Sequence, residues 1–244
     1  MICERLVVSV WGAAFLALTH ASFVNARADA EPERYERIAE SPDGIGTRYM
    51  GRQIAKIMGW QGAEWLEREE REQEERTDLL LPELKLSPGM TVADIGAGTG
   101  YISRRIARIV GPTGKVDAVD VQPEMIRMLA AMAKREKLPQ IRPVLGSAAD
   151  VKLAPASVDL AIMVDVYHEL ARPYEVLASI VRALKRGGRV VFVEYKADDP
   201  SVPIKPLHKM SIEQVKLEAA VHPLVFERAV ETLPWQHIVV FRKR

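Results

Sequence analysis

The stretch VADIGAGTGYISRR, residues 92–105, places three glycines between an apolar run and a segment of helix-like composition. In a parallel sheet, such a loop after the first strand exposes backbone N–H groups that hold a nucleotide-like ligand. The spacing departs from the dinucleotide fingerprint G-x-G-x-x-G, because Gly100 comes one residue early and Tyr101 follows it. No lysine follows Gly100, which excludes the phosphate loop of nucleotide hydrolases. The stretch therefore predicts a nucleotide-binding turn and disfavours a nicotinamide oxidoreductase.

From Met90 onward, short apolar runs alternate with segments of helical periodicity. Alternation at this spacing is typical of strands that lie parallel in one sheet with helices on both faces. A closing hairpin is predicted from the runs at 223–226 and 237–241. The sequence thus predicts a Rossmann-like, doubly wound α/β fold with a mostly parallel seven-stranded sheet. The predicted strands are 90–95, 116–121, 141–145, 158–164 and 189–195, and the predicted helices are 101–109, 123–136, 173–185 and 208–220.

The segment before this domain is more polar. Residues 29–48 carry scattered proline and glycine, which indicates an extended arm. Residues 49–60 predict a short amphipathic helix, and residues 65–76 predict a solvated charged helix with the pairs Glu67–Arg71 and Glu72–Arg76. We therefore expect a helical cover on the N-terminal side of the sheet.

The first 28 residues have the layout of a secretory signal peptide. An uncharged and largely apolar run, Leu6–Leu18, is followed by small residues at Ala26 and Ala28, where a signal peptidase would cut. Cleavage would release a periplasmic or secreted protein with no stable membrane contact. Because Leu6–Ala26 carries no formal charge, an uncleaved anchor with the domain in the cytoplasm is the alternative. The predicted parts are a signal peptide (1–28), an N-terminal arm and helical cover (29–76) and the main domain (77–244).

The charge balance and the cysteine content exclude several classes of function. The chain has 34 basic and 33 acidic residues and a net charge of +1, so nothing in it indicates binding to nucleic acid. Its one cysteine, Cys3, lies in the predicted signal peptide. A mature chain would therefore contain no disulfide, no thiolate nucleophile and no cysteine metal ligand.

Acidic side chains stand at the ends of three successive predicted strands. Asp94 comes two residues before the first glycine, where a carboxylate would meet an amine or a cation. Asp120 ends the second strand and is placed to accept hydrogen bonds from both hydroxyls of a ribose. Asp150 follows the third strand and could accept a hydrogen bond from an adenine amino group. The set predicts a ligand that joins adenosine to a positively charged, amino-bearing part.

The motifs DIGAGTG, VDAVD, GSAAD and LKRGGRVVF, which lie between residues 94 and 192, resemble successive motifs of the class I S-adenosylmethionine (SAM) dependent methyltransferases. The resemblance covers residues 77–244, and Arg186 replaces the proline that is usual in the last motif. It implies SAM as the cofactor. The cofactor-binding residues that it implies are Asp94, Gly96, Gly98, Gly100, Asp120, Val121, Ala149, Asp150 and Asp165.

The acceptor side is predicted beyond the fourth strand, where Asp165, Tyr167 and His168 cluster. His168 is the predicted general base, because an unperturbed imidazole titrates near neutrality; helix capping or packing is the alternative. Tyr167 is predicted to line the acceptor pocket, and Asp165 to contact the cofactor or the backbone. No metal site is expected from His168, His208 and His237, since no pair has the close spacing of a ligand motif.

Methyl transfer from a sulfonium is an in-line displacement, for which the protein mainly positions the acceptor. No large insertion separates the predicted strands, so a small-molecule acceptor is expected. The leading prediction is a SAM-dependent methyltransferase of small molecules, whose acceptor and oligomeric state the sequence leaves open. SAM is a cytoplasmic metabolite, whereas the first 28 residues predict export. The alternative is therefore an exported or anchored module that binds SAM without turnover.

Overall fold

The computed structural model describes Met1 and residues 34–244. Residues Arg34–Arg244 form one compact unit. The predicted signal peptide, apart from Met1, lies outside the described residues. Within the described part of the chain, every helix is too short or too polar to cross a bilayer.

The described chain begins with a small antiparallel sheet of three strands: β1 (Tyr35–Arg37), β2 (Gly44–Tyr49) and β3 (Arg52–Ala55). The helix predicted over residues 49–60 is therefore wrong. Met50 and Gly51 have φ of +46° and +92°, so they form a hairpin turn of the kind that joins twisted strands. Ile54, which the predicted helix placed on its apolar side, is fully buried in β3 instead.

Short helical elements follow: a 3₁₀ segment (Trp60–Glu67), α1 (Arg71–Glu75) and α2 (Thr77–Glu83). The solvated helix predicted over residues 65–76 is also wrong. Arg71 and Glu75 are buried and pair with each other at 2.8 Å, whereas Glu67 pairs with Arg104 of the main domain. The charged run thus packs against the first helix of the main domain, partly through ion pairs.

The main sheet confirms the predicted doubly wound architecture. Its strand order is β10-β11-β8-β7-β4-β5-β6, with β9 paired to β8; β10 and β11 are antiparallel and the rest parallel. The strands are β4 (Thr91–Ile95), β5 (Lys115–Asp120), β6 (Ile141–Leu145), β7 (Val158–Val164), β8 (Leu184–Lys196), β9 (Lys209–Met210), β10 (Leu224–Val230) and β11 (Gln236–Lys243). The helices are α3 (Tyr101–Val110), α4 (Pro123–Arg135), α5 (Pro173–Ala183) and α6 (Ile212–Ala219), with 3₁₀ turns at Tyr167–Glu169 and Pro206–His208.

Two apolar clusters hold the helices on the sheet. One joins α3 and α4 to the strands and includes Ile106 and Leu129; the other joins α5 and α6 and includes Leu177 and Val215. Successive residues of β4 divide between the two clusters, as expected for a strand buried on both faces. From β4 the chain winds to β5 and β6 on one side and to β7 and β8 on the other. The carboxyl end of β4 is thus the switch point where such sheets bind ligands.

Candidate functional site

A cavity of about 740 Å³ opens at the switch point. The carboxyl ends of β4, β5, β7 and β8 supply its floor, and residues from the N-terminal segment supply part of its wall. This volume falls in the range of small-molecule and cofactor sites. Seven of the nine predicted cofactor-binding residues line it: Asp94, Gly96, Gly98, Asp120, Val121, Asp150 and Asp165.

The glycine loop turns sharply at positions with positive φ where a side chain does not fit. Gly96 has φ of +70°, and a Cβ there would lie 2.4 Å from the side chain of Val166. Gly100 has φ of +89°, and a Cβ there would lie 2.2 Å from Met132. Gly96 faces the cavity, whereas Gly100 begins α3 and packs on α4. Gly100 therefore serves packing, contrary to its predicted place around the cofactor.

Asp94 is a buried acid at the end of β4. Its side chain is 3% exposed, and Oδ2 accepts a hydrogen bond from Ser103 Oγ at 2.5 Å. Burial raises the pKa of Asp94 to about 6, although the Ser103 hydroxyl and the Arg71 guanidinium favour the carboxylate. The group is therefore poised to ionise when a cationic partner enters the cavity.

Asp120 locks the glycine loop to the end of β5. Its Oδ2 accepts from Gly98 N at 3.0 Å, and its Oδ1 accepts from Gln122 N at 2.9 Å. Burial raises the pKa of Asp120, and these backbone N–H groups oppose the shift. Both oxygens are held in the cavity wall, where they can accept further hydrogen bonds.

Asp150 stands at the far end of the same row. Its Oδ1 accepts from Lys152 N at 2.7 Å and its Oδ2 from Arg182 at 2.9 Å. The Lys152 N–H and the Arg182 charge hold the pKa of Asp150 below its usual value. Ala148 lines the cavity in place of the predicted Ala149.

Sequence reasoning missed Arg71. Its Nε donates to Glu75 Oε2 and its Nη1 to the Leu66 carbonyl, each at 2.8 Å. The guanidinium lies 4.1 Å from the centre of the Tyr101 ring, and the residue lines the cavity. Arg71 thus brings a positive charge to the glycine-loop end. The alternating charges around it resembled a solvated helix face, so no local signal separated it from its neighbours.

A short segment, which we call the strap (residues 56–60), bridges two strand ends. Gln122, just after β5, donates from Nε2 to the Met58 carbonyl at 3.0 Å and accepts from Trp60 N at 2.8 Å. Glu169, beyond β7, accepts from Met58 N through Oε2 at 3.2 Å. Lys56, Ile57 and Met58 line the cavity. The strap therefore ties the glycine-loop end to the β7 end.

His168 is buried at the β7 end and lines the cavity. Its Nδ1 lies 2.6 Å from Glu194 Oε2, and Glu194 Oε1 accepts from Tyr167 N at 2.9 Å. A carboxylate can only accept hydrogen bonds, so Nδ1 carries the hydrogen and Nε2 the lone pair. Nε2 faces His208 Nδ1 at 3.2 Å. This is the arrangement of a base oriented by a third group.

The other two predicted catalytic residues occupy different environments. Asp165 lines the cavity with φ of +55°, and its Oδ2 accepts from Gln236 Nε2 at 2.7 Å. Burial, together with the nearby carboxylates of Glu75 and Glu194, raises the pKa of Asp165 well above its ordinary value. Tyr167 is fully buried, packs edge-on against Phe192 and lies outside the cavity lining. Its position supports a core role in place of the predicted pocket role.

Comparisons with known proteins agree on one kind of domain. Residues 92–188 match the family model described as methyltransferase domain. A demethylmenaquinone methyltransferase of Lactococcus lactis is 30% identical over 125 residues, 51% of this chain and 48% of that protein. An arsenite methyltransferase of Halobacterium salinarum is 32% identical over 105 residues, 43% of this chain and 27% of that protein.

The fold has a solved counterpart. The structure of a SAM dependent methyltransferase from Aquifex aeolicus superposes with a TM-score of 0.73 at 24% identity, and the match covers 77% of this chain and 100% of that one. This likeness shows the fold. The chain spans only 48% of the length of the Lactococcus lactis protein and 27% of the length of the Halobacterium salinarum protein.

Proposed function

We propose that this chain, whose residues 92–188 match a methyltransferase domain, is a class I SAM-dependent methyltransferase that transfers the methyl group of SAM to a small-molecule acceptor. The observation that carries the proposal is a row of charged groups along one cavity. Asp94 and Arg71 stand at the glycine loop, Asp120 stands at the next strand end, and His168 lies at the β7 end. Cofactor and acceptor would lie end to end along this row.

The cofactor end matches the chemistry of SAM part by part. The methionine part carries an ammonium and a carboxylate, for which Asp94 and Arg71 supply the opposite charges. Asp120, held beside Gly98, would accept hydrogen bonds from the ribose hydroxyls. Asp150 would accept from the adenine amino group. When bound, SAM supplies an electrophilic methyl group, and these residues hold and orient it.

The acceptor end supplies a base. In the transfer, the acceptor atom forms a bond to the methyl carbon while the carbon–sulfur bond breaks and its electron pair stays on sulfur. The acceptor's proton goes to Nε2 of His168. Glu194 keeps His168 in the required tautomer and stabilises the imidazolium that forms.

The walls near His168 narrow the acceptor class. They are mainly apolar, with charged residues at Asp43, Lys56, Glu169 and Lys205. We therefore propose an acceptor with a largely apolar or aromatic body and one acidic heteroatom that reaches His168. The two relatives are named for demethylmenaquinone and arsenite, which are chemically unlike. The acceptor of this chain must accordingly be found by screening. The apolar residues of this wall are Ile45, Ile57, Val166, Leu170, Pro203 and Ile204.

Calorimetric titration with SAM, S-adenosylhomocysteine and NAD tests the cofactor assignment. We expect both sulfur ligands to bind and NAD to fail. Asp120→Asn keeps the size of the side chain and removes its charge, so it should weaken both sulfur ligands by about 1–3 kcal/mol through poorer ribose hydrogen bonds. Asp198→Asn, on an exposed residue outside the cavity, is the matched control and should bind like the unchanged chain.

Two results would contradict the proposal. Equal SAM affinity in Asp120→Asn and the control would remove the ribose assignment. Tight SAM binding, with no labelled methyl reaching any member of a panel of phenols, hydroquinones, thiols and amines, would favour the non-catalytic binding module.

A further inference from the structure

We propose that His168, Glu169 and His208 together form a binding site for one divalent transition-metal ion. Among the described residues, their ligand atoms converge on one point. His168 Nε2 and His208 Nδ1 are 3.2 Å apart, His208 Nδ1 and Glu169 Oε1 are 3.2 Å apart, and His168 Nε2 and Glu169 Oε1 are 3.8 Å apart. Two neighbouring residues and one some forty positions later thus present two imidazoles and one carboxylate.

The triangle has the size that a metal ion requires. Zinc–nitrogen and zinc–oxygen bonds are about 2.0–2.2 Å long, so neighbouring ligands of a tetrahedral ion lie about 3.3–3.6 Å apart. An octahedral ion brings neighbouring ligands to about 3 Å at the same bond lengths. The three observed separations of 3.2, 3.2 and 3.8 Å bracket the tetrahedral values and are somewhat longer than the octahedral one. Shifts of a few tenths of an ångström would complete the coordination.

The surrounding hydrogen bonds orient two of the ligands. Glu194 holds the Nδ1 hydrogen of His168, which leaves the Nε2 lone pair facing the cluster. Glu169 accepts from Met58 N through Oε2, which leaves Oε1 facing the cluster. Carboxylate–histidine pairs of this kind fix ligand orientation in known metal sites.

The local charges also suit a dication. Glu169 and Glu194 bring two carboxylates to the cluster. Of the cations in the described part of the chain near the cluster, Arg52 makes a two-pronged contact with Glu218 and also donates to the His168 carbonyl, Lys205 pairs with Asp43 at 2.5 Å, and Lys56 lines the cavity. The two carboxylates contact the imidazoles directly, so they favour an added positive charge at this point.

The donor set narrows the metal. Imidazole and carboxylate without thiolate suit zinc, iron(II), cobalt, nickel or manganese, whereas magnesium and calcium prefer oxygen ligands throughout. Three protein ligands leave at least one coordination position for water or substrate. All three residues line the same cavity as Asp120, so that position faces the proposed acceptor space.

The catalytic consequence of the ion rests on the proposed function, but the metal site does not. An acceptor hydroxyl or thiol that coordinates the ion would release its proton to solvent more readily, and its lone pair would then attack the methyl group. The carbon–sulfur bond breaks as before, and S-adenosylhomocysteine leaves. In the metal-loaded protein, His168 would act as a ligand and the ion would replace it as the group that makes the acceptor nucleophilic.

The test is metal titration of the full chain after dialysis against a chelator. We expect calorimetry with zinc chloride to give one ion per chain, and cobalt(II) to show the visible absorption of a low-coordinate nitrogen–oxygen site. His208→Gln and Glu169→Gln should each weaken zinc binding by about 100-fold or more. The matched controls are His222→Gln and Glu213→Gln, outside the cluster, which should bind zinc like the unchanged chain.

Two outcomes would overturn the site: no stoichiometric zinc in the unchanged chain, or equal affinity in the two ligand variants and their controls. His208→Gln and Glu169→Gln are preferred to a change at His168, which is buried and bonded to Glu194. SAM titration of the same metal-free samples separates the two questions. A chain that binds SAM but does not bind zinc would retain the proposed function and reject the metal site. A chain that binds zinc but does not bind SAM would retain the metal site and reject the proposed function.

Discussion

Asp94 can hold an ammonium only as a carboxylate, yet burial raises its pKa from 3.8 to about 6. The unfolded chain ionises this group first, so the folded protein without ligand loses up to about 3 kcal/mol of stability from it as the pH rises from about 4 to about 6. In the proposed complex, the methionine ammonium of SAM would reverse the balance, because it would stabilise the ionised form. Cofactor binding should therefore release a proton from Asp94 at acidic pH.

SAM affinity should consequently fall as the solution is acidified through the pKa of Asp94, about 6. Well below that pH, the dissociation constant should rise about tenfold per pH unit, because each unit reduces the ionised fraction tenfold. Titrations at several pH values between 5 and 7.5 measure the slope. Asp94→Asn should bind weakly at every pH and show no such slope. A slope in the variant equal to that of the unchanged chain would assign the effect to another group.

At the scale of single residues, the sequence identified the acidic side chains of the site but not its arginine. Asp94 and Asp120 were identifiable because each lies near the carboxyl end of an apolar run, and Asp150 because it follows the turn after a third run; all three line the cavity. Arg71 was not identifiable, because its burial depends on Tyr101, a contact that forms only when α1 packs against α3.

At the scale of the elements, the N-terminal sheet, part of which the sequence predicted as a helix, is held to the main domain by a buried ion pair. Arg52 of β3 donates from Nε and Nη2 to the two carboxylate oxygens of Glu218 on α6, at 2.8 and 3.0 Å. Both side chains are almost fully buried, and a third donor, Nη1, reaches the His168 carbonyl at 3.0 Å. The pair therefore connects the added sheet, α6 and the β7 end. The apolar residues within 49–60 are spaced as in a helix, and that spacing did not reveal the turn at Met50 and Gly51.

Arg52→Met should lower the free energy of unfolding by about 3–5 kcal/mol, because it leaves the Glu218 charge buried without its partner. The double variant Arg52→Met, Glu218→Leu should lose much less than the sum of the two single changes, since it removes both charges together. Urea denaturation measures all three. Arg48→Met, which breaks the exposed pair with Glu36, should cost less than about 1 kcal/mol. Additive losses in the double variant would show that the buried pair has no coupling.

Over the whole molecule, the doubly wound sheet was predictable because its signal is carried locally, strand by strand and helix by helix. The approach of His208 to His168 and Glu169 was not predictable in this way, and the sequence led us to expect no metal site. The loop after β8 brings His208 back over the β7 end, and only the folded path shows this approach. His237, which the sequence analysis considered together with His168 and His208 as a metal ligand, is buried in β11 outside the cluster.

Export from the cytoplasm stays a prediction, since it depends on residues 1–28. We expect signal cleavage near Ala28, which would leave Asp29 as the first residue of the mature chain. Fractionation of a tagged full-length protein, followed by intact mass measurement, checks both the compartment and the N-terminus. Recovery from the membrane fraction with Met1 retained would establish the anchored alternative, with the domain on the side where SAM is made.

Glu169 belongs to two structures at once, since Oε2 holds the strap and Oε1 faces the two histidines. Through the strap, the same carboxylate is joined to Gln122, whose backbone N–H donates to Asp120. Any ligand that draws Oε1 toward the histidines would therefore also act on the segment beside the proposed cofactor site. Thermodynamic linkage makes such an influence mutual: by whatever factor a bound cation alters SAM affinity, SAM must alter the affinity for the cation by the same factor.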